Sequence, residues 1–301
     1  MNKIIFVTEN QFNGKKSLGI GTMDDIRRIN TSFYMTTGEN LQFVKCLREV
    51  DENKLWKMYF FLKYSLEFDG ADDYLSLGNI SSLSSASAFT LSTWVKTSTT
   101  NKFIYASYAS GITDSIQMYF HSGGSLRCIV GTGSSWYQIG TSSTTLADGT
   151  WKNFTFVFSG GNYLKIYVNG SEETTSFVNG TNTVPTTTVA NAGNTPRIAD
   201  SVTGGSSLNG LVDEVALFNT ALSASQITNI YRGEDDGGSG GTNGVPGDLS
   251  TFNPVGWWRM GDNNVGSGTT ITDQGSGGNN GTIVNGTQGN TTPTYSTSVP
   301  S

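Results

Sequence analysis

Large apolar side chains recur at alternate positions, the period of a β-strand, in several short stretches of the chain. The clearest stretches are residues 89–95, 153–158 and 164–168. The last of them runs into Asn169-Gly170, the dipeptide that most strongly indicates a two-residue hairpin turn. Many short strands separated by turn residues are typical of an all-β sandwich or jelly roll.

A helical pattern follows the last strand of this region. Ser223 is suited to cap a helix N-terminus, and Gln226 three residues later completes a capping box. Ile227 and Ile230 then share one helix face, and Gly233 is placed to end the helix. The sequence therefore predicts one short helix after the closing strand.

Composition agrees with a turn-rich β-protein. The 301 residues include 38 glycines, and only 14% are charged. The net charge is −6, but it is unevenly spread: residues 1–63 hold 10 of the 18 basic residues and 7 of the 24 acidic ones. Residues 64–301 are therefore left with 8 basic and 17 acidic residues. An acidic chain of this kind is a poor partner for nucleic acid, whose phosphates require clustered Lys and Arg.

These shifts in composition divide the chain into four zones. Residues 1–63 show no sustained strand alternation. They are either a small attachment region or sequence upstream of a true start at Met58. Residues 64–233 hold the β-pattern, residues 234–249 read as a flexible Gly-rich linker, and residues 250–301 hold an apolar cluster followed by a polar tail.

The cysteines and the hydropathy of the chain indicate where the protein is located and whether it enters a membrane. Cys46 and Cys128 either form a disulfide or stay as two unpaired thiols. No apolar run reaches the length of a membrane span. The apolar run at residues 4–7 is followed too soon by Glu9 for a secretory signal peptide. We therefore expect no membrane insertion, and an extracellular or virion location reached without a signal peptide.

Four segments, in the same order along the chain, resemble the laminin-G-like jelly roll of the concanavalin A-like lectin/glucanase superfamily. They are the opening strand pair at 66–75, a second strand at 89–96, a central hairpin at 151–156 with 164–170, and a closing strand at 208–215 with 221–223. The resemblance implies a two-sheet antiparallel jelly-roll sandwich with one short helix after the closing strand.

Residues 250–301 resemble the same family in another place. The segments 257–262, 270–273 and 278–286 look like the part that usually precedes the opening strand. Three arrangements would explain this position: fold-back onto the same chain, a strand given to a neighbouring subunit, or the stub of a second repeat. Fold-back is favoured, because the termini of compact domains often lie close together.

Because the superfamily includes glucanases, an enzyme has to be considered. A retaining glycosidase needs two carboxylates about 5–5.5 Å apart, and hence acidic residues at alternate strand positions. Asp213-Glu214 and Glu172-Glu173 are adjacent instead. The single histidine, His121, has no accompanying nucleophile motif. We therefore expect no catalytic residues, no enzyme and no organic cofactor.

Calcium is the cofactor that the resemblance suggests. It points to Asp69 and Asp72 in the opening turn and to Asp213 in the closing strand, all oxygen donors of the kind calcium takes. The alternative is that Asp213 accepts backbone N–H bonds from the turn at residues 69–73.

Exposed aromatic rings beside polar groups would bind a glycan. Trp94 and Trp151 belong to framework segments and are assigned to packing, as any of the candidate rings could also be. The candidate ligand-binding residues are Trp136, Tyr137, Tyr108 and Tyr119, with Tyr105 as a further one.

Two functions remain in view. The first is a non-catalytic binding module, displayed outside the cell or on a virion, that recognises a glycan or a surface protein. The second is a structural particle component, such as a decoration or fibre subunit, whose residues 250–301 mediate homo-oligomeric assembly.

Overall fold

In a computed structural model of the chain, the described residues are 4–9, 16–21, 33–37, 40–44 and 64–301, the last with gaps at 108–110, 181, 191, 195, 202–204, 263–265 and 287–291. The chain divides into two units, Met1–Leu62 and Lys63–Ser301. No helix among the described residues is long and apolar enough to cross a membrane.

The first unit contains an antiparallel four-stranded sheet. Its strands are β1 (Ile4–Glu9), β2 (Lys16–Gly21), β3 (Phe33–Thr37) and β4 (Asn40–Val44), in the order β2-β1-β3-β4. The sequence pattern did not reveal these strands, because their apolar residues do not alternate regularly with polar ones, as in the unbroken apolar run at residues 4–7. Cys46 and Met58 lie outside the described residues.

The second unit is a two-sheet antiparallel sandwich, which confirms the fold class that the sequence predicts. Its strands are β5 (Ser65–Asp69), β6 (Tyr74–Ser76), β7 (Ala88–Lys96), β8 (Lys102–Ser107), β9 (Ile116–Phe120), β10 (Leu126–Gly131), β11 (Trp136–Thr141), β12 (Trp151–Ser159), β13 (Tyr163–Val168), β14 (Ser171–Glu172), β15 (Thr175–Asn179), β16 (Arg197–Ile198), β17 (Asn209–Phe218), β18 (Gly256–Trp258), β19 (Thr270–Ile271), β20 (Gly281–Val284) and β21 (Thr294–Ser296).

One sheet has nine strands in the order β15-β11-β10-β9-β8-β16-β6-β20-β19. The other has eight, in the order β14-β13-β12-β7-β17-β5-β21, with β18 paired to β17. The main core lies between them. Phe154, Phe156 and Phe158 of β12 all face it and are at most 1% exposed, as their alternation predicts. Each such ring removed from water contributes about 1.5–3 kcal/mol to folding.

The predicted hairpin and helix are both present. Asn169 and Gly170 have φ angles of 50° and 75°, the left-handed values that the turn between β13 and β14 requires. Helix α1 (Ala224–Tyr231) is the only α-helix in the described part of the chain, and Ser223 and Gln226 form the capping box at its start. Gly233, with φ of 64°, follows its last turn.

Residues 250–301 pair with strands of the same chain. β18 pairs with β17, β20 with β6, and β21 with β5, all antiparallel. The preceding segment, residues 234–249, forms hydrogen-bonded turns beside α1, where the Gln226 side-chain amide donates to Asp236 at 2.8 Å. The C-terminal zone thus completes both sheets of its own sandwich.

Candidate functional site

The outer faces of the two sheets differ. The outer face of the eight-stranded sheet, here called the covered face, lies under α1 and residues 249–257. A second hydrophobic cluster fills the space between them. Its buried members are Val157, Tyr167, Ala216, Phe218, Leu222, Ile227, Ile230, Leu249, Phe252 and Trp257.

A buried group of charges fastens residues 250–301 to β17. The Arg259 guanidinium donates to Glu214 at 3.0 Å and to Asp262 at 2.8 Å, and the Trp257 indole N–H donates to the same Glu214 carboxylate. Glu214 is 4% exposed and Arg259 is 6% exposed. Glu214 also has φ of 46°, in an irregularity of β17 between residues 213 and 216. We call this group the charged lock.

The outer face of the nine-stranded sheet, here called the open face, carries no comparable apolar cover among the described residues. The strand registers set Phe103, Tyr119 and Arg127 side by side on β8, β9 and β10. One row along, Gln117, Ile129 and Gln138 lie together on β9, β10 and β11. The outward positions of the open face are Tyr74, Ser76, Phe103, Ala106, Gln117, Tyr119, Arg127, Ile129, Gly131, Trp136, Gln138, Gly140, Ser176, Val178, Asn179, Arg197, Thr270, Thr282 and Val284.

A polar group lies at the middle of the open face. The Phe103 and Tyr119 rings are stacked, with centroids 5.0 Å apart. The Gln138 side-chain amide donates to the Tyr119 hydroxyl oxygen at 2.5 Å. Burial raises the pKa of Tyr119, although the nearby Arg127 charge opposes the shift. The phenol therefore remains a hydrogen-bond donor in the neutral pH range.

The turn Ile112–Asp114 borders the open face near Trp136. It lies against Gly131, because the Thr113 carbonyl oxygen is 2.2 Å from the position that a Cβ on Gly131 would occupy. Gly131 is paired with Trp136, so the indole is next to this turn. A partly exposed indole beside such a turn can pack against the apolar face of a sugar ring.

The structure divides the aromatic residues predicted to bind ligand. Trp136 and Tyr119 lie on the open face. Tyr137 points the other way and packs against the main core, and Tyr105 is fully buried there. Tyr108 lies outside the described residues. The strand alternation that separates Trp136 from Tyr137 is the reason that neighbours in sequence do not share a site.

The two tryptophans assigned to packing lie elsewhere. Trp94 is 3% exposed, and its ring stacks on that of Tyr231 at a centroid distance of 5.6 Å. Trp151 is only partly buried at the start of β12, although its indole nitrogen is shielded from solvent.

The structure brings together only part of the predicted calcium set. Asp69 and Asp72 both lie in the turn between β5 and β6, and Asp69 accepts the backbone N–H of Ala71 at 2.8 Å. Asp213 lies elsewhere, since β17 pairs with this turn at Asn209, four residues or about 13 Å away along the strand. The predicted trio therefore does not form one site.

Asp213 instead neighbours the charged lock. It accepts the backbone N–H of Glu214 at 2.8 Å, rather than N–H groups of the turn at 69–73. Burial and the charges of Glu214 and Asp262 raise its pKa well above the ordinary range. No three or more His, Cys, Asp and Glu side chains among the described residues are arranged to hold a metal ion. Calcium binding remains a prediction.

Asp73 is an unusual carboxyl that sequence reasoning missed. It is 1% exposed, and neither oxygen has a well-directed hydrogen bond. Burial, followed by the charge of Asp69, raises its pKa to about 6, while backbone N–H groups of Gly286 and Asp69 partly oppose the rise. Strand alternation could not single it out, because Asp72 and Asp73 both lie in the turn before β6.

The remaining candidates have ordinary environments. Cys128 is a free thiol, fully buried in the main core, so it forms no disulfide. His121 lies in the turn between β9 and β10, where its ring is 3.5 Å from the Ser122 hydroxyl. Arg127 and Gln138 are open-face residues that the sequence did not single out. Only the pairing of separate strands reveals that they flank Tyr119.

A family comparison agrees with this architecture. A laminin G family model, described as the concanavalin A-like lectin/glucanases superfamily, matches residues 69–228. The match spans more than half of the chain, so the chain belongs to this superfamily, and the resemblance found in its sequence is confirmed. No curated protein matches the chain by sequence.

Three solved structures are similar to this chain. A putative carbohydrate-binding protein from Bacteroides ovatus is 15% identical over 92% of this chain and 68% of its own, with a TM-score of 0.51. A pentraxin from Limulus polyphemus is 19% identical over 56% and 81%, with a TM-score of 0.41. The CBM40 of a Ruminococcus gnavus sialidase is 12% identical over 56% and 98%, with a TM-score of 0.43. At 15% identity, the Bacteroides ovatus protein supports the fold alone.

Proposed function

We propose that this chain is a non-catalytic module, displayed outside a cell or on a virus particle, whose open face binds a glycan. The observation that carries the proposal is the contrast between the faces: one is sealed by an apolar cover, while the other presents partly exposed rings and arginines around the buried amides of Gln117 and Gln138. Sugars are bound by this combination, since rings pack on their C–H faces and amides bond their hydroxyls. The carbohydrate-binding description of the Bacteroides ovatus protein is in keeping with it.

The non-catalytic part of the proposal has its own support. Glycoside hydrolysis normally uses two carboxylates flanking the bond that breaks. None of the outward strand residues that define the open face is Asp or Glu. The carboxylates of Asp213 and Glu214 are buried under the C-terminal zone, out of reach of a polysaccharide. Binding without cleavage fits this distribution.

The test is a glycan array probed with the full chain, first with calcium and then with excess chelator. Binding in both conditions supports the proposal without calcium at the ligand site. Binding that chelator abolishes supports it and adds the predicted calcium. Binding that is seen in neither condition contradicts the proposal.

A variant pair locates the site. Trp136→Ala should weaken binding at least about tenfold, as stacked aromatic anchors commonly do. Tyr163→Ala is the matched control, because Tyr163 is a half-buried ring packed beside the covered face. Equal loss in both variants would place the ligand elsewhere.

Assembly into a particle is the second candidate function. It is favoured by β19 and β21, both from the C-terminal zone, which end the nine-stranded and eight-stranded sheets respectively. Edge strands offer unpaired backbone groups to a neighbouring subunit. A stable oligomer by light scattering, together with an empty glycan array, would favour this function over glycan binding.

A further inference from the structure

The open face differs in charge from the rest of the molecule. Its outward strand positions include two arginines, Arg127 and Arg197, and no acidic residue. The chain as a whole carries a net charge of −6. Apart from Asp114 in the bordering turn, the charges of the open face are therefore positive, which favours an anionic ligand.

Arg197 is already engaged within the protein. Its guanidinium lies 3.9 Å from the centroid of the Tyr74 ring, donates to the Ser201 carbonyl at 3.2 Å, and is 3.7 Å from the Asp200 carboxylate. These contacts balance its charge and hold its orientation.

Arg127 has no carboxylate partner of this kind among the described residues, and its polar partner is the Tyr119 hydroxyl. Among the described residues no carboxylate forms an ion pair with it, and its Nε is shielded from solvent without a hydrogen bond. Its contact is with Tyr119, the next residue across the sheet. A partly buried guanidinium without an anion is costly to keep, and a planar carboxylate that takes two of its N–H groups is the partner it fits best.

Tyr119 adds a second donor at the same place. Its hydroxyl oxygen accepts from the Gln138 amide, so the hydroxyl hydrogen must be directed elsewhere. The Phe103 ring fixes the orientation of the phenol by stacking against it. A carboxylate bound to Arg127 would thus also receive a hydrogen bond from the neighbouring phenol.

We infer that Arg127 and Tyr119 form a subsite for the carboxylate of an acidic sugar, such as a uronic or sialic acid. This inference rests on the proposed glycan-binding function and specifies the chemical class of the glycan. Sugar rings that pack against the aromatic side chains of the open face are bound whether they are neutral or acidic. The Arg127–Tyr119 pair selects those sugars that carry a carboxylate.

The experiment compares the full chain on paired oligosaccharides, each acidic glycan being printed beside its carboxyl-reduced neutral form. We expect the acidic member of at least one pair to bind roughly tenfold tighter or more, since each factor of ten corresponds to about 1.4 kcal/mol. Arg127→Gln should abolish that preference, and Tyr119→Phe should reduce it. Arg232→Gln, an exposed arginine just after α1, is the matched control.

The outcomes separate the two proposals. Neutral and acidic forms that bind alike, or a preference that survives in Arg127→Gln, would overturn the acidic subsite while glycan binding stands. An array without any binding would overturn the glycan-binding function and the subsite with it. Thermal melting of each variant shows whether it is folded, and Arg127→Lys provides a second variant that keeps the charge but loses the planar fork.

Discussion

The covered face and the open face are the outer surfaces of two similar antiparallel sheets, yet they differ in their outward residues and in what packs on them. On the covered face the outward residues Val157, Ala216 and Phe218 are apolar and pack under α1. On the open face the corresponding positions hold rings, amides and arginines. The comparison shows that one sheet buries both of its faces, whereas the other has no comparable apolar cover on its outer face among the described residues.

We expect the largest change in the free energy of unfolding when the charged lock is broken. Arg259→Met leaves Glu214 and Asp262 buried without their cation, so the free energy of unfolding should fall by about 3–5 kcal/mol. Denaturant unfolding measures the change. The exposed Arg232→Met serves as control and should cost at most about 0.5 kcal/mol. A loss below about 1 kcal/mol in Arg259→Met would show that the lock does not hold the C-terminal zone.

The next effect concerns apolar packing on the two faces. Ile227→Ala empties a fully buried position under α1 and should lower stability by about 2–5 kcal/mol. Val178→Ala, a 44% exposed position on the open face, should change it by at most about 0.5 kcal/mol. Glycan binding should survive Ile227→Ala below its melting temperature. Equal destabilisation by the two variants would contradict the contrast between the faces.

A pH-dependent effect is expected at Asp73, beside the end of β6. Its pKa of about 6 in the folded protein is above the unfolded value of about 3.9, so the folded state binds the proton more tightly. Its contribution to stability is therefore present at low pH and is lost as pH rises through about 6.

Asp73→Asn should remove this dependence and raise the melting temperature at pH 8 more than at pH 5. Calorimetry at several pH values without added metal measures it. The same slope in the variant and the parent chain would show that Asp73 is not the group responsible.

The smallest effect tests how α1 is held on the covered face. Ser223→Ala removes the capping side chain and should cost about 1 kcal/mol. Ser239→Ala, an exposed serine in the turns after α1, is the control and should be close to neutral. The difference between the two in denaturant unfolding isolates the cap. A cost in Ser223→Ala no larger than that of the control would mean that packing alone positions the helix.

The parts of the fold that could be predicted are those that depend on residues close together in the sequence. The hairpin turn at Asn169-Gly170 and the capping box at Ser223 depend on residues within four positions of each other, so the sequence specified both. The three Phe of β12 share a face because strand alternation is itself a local property. The resemblance to the superfamily similarly rested on strand motifs in order, and the family match confirms it.

The candidate site was less predictable. Trp136 and Tyr137 were adjacent candidates, but opposite strand faces separate them, and Arg127 became a candidate only once β9 and β10 were paired. Asp213 was grouped with the Asp69 turn on the strength of the resemblance, whereas the register of β17 places it beside the charged lock.

By itself the sequence determined the alternation of the strands, the turns and caps between them and the family to which the chain belongs. Only the tertiary structure decided which sheet face is covered, where the C-terminal zone pairs and which side chains meet on the open face. The physical reason is that the first set depends on interactions between near neighbours along the chain. The second depends on register and packing between strands far apart in sequence, such as β6, β9 and β20.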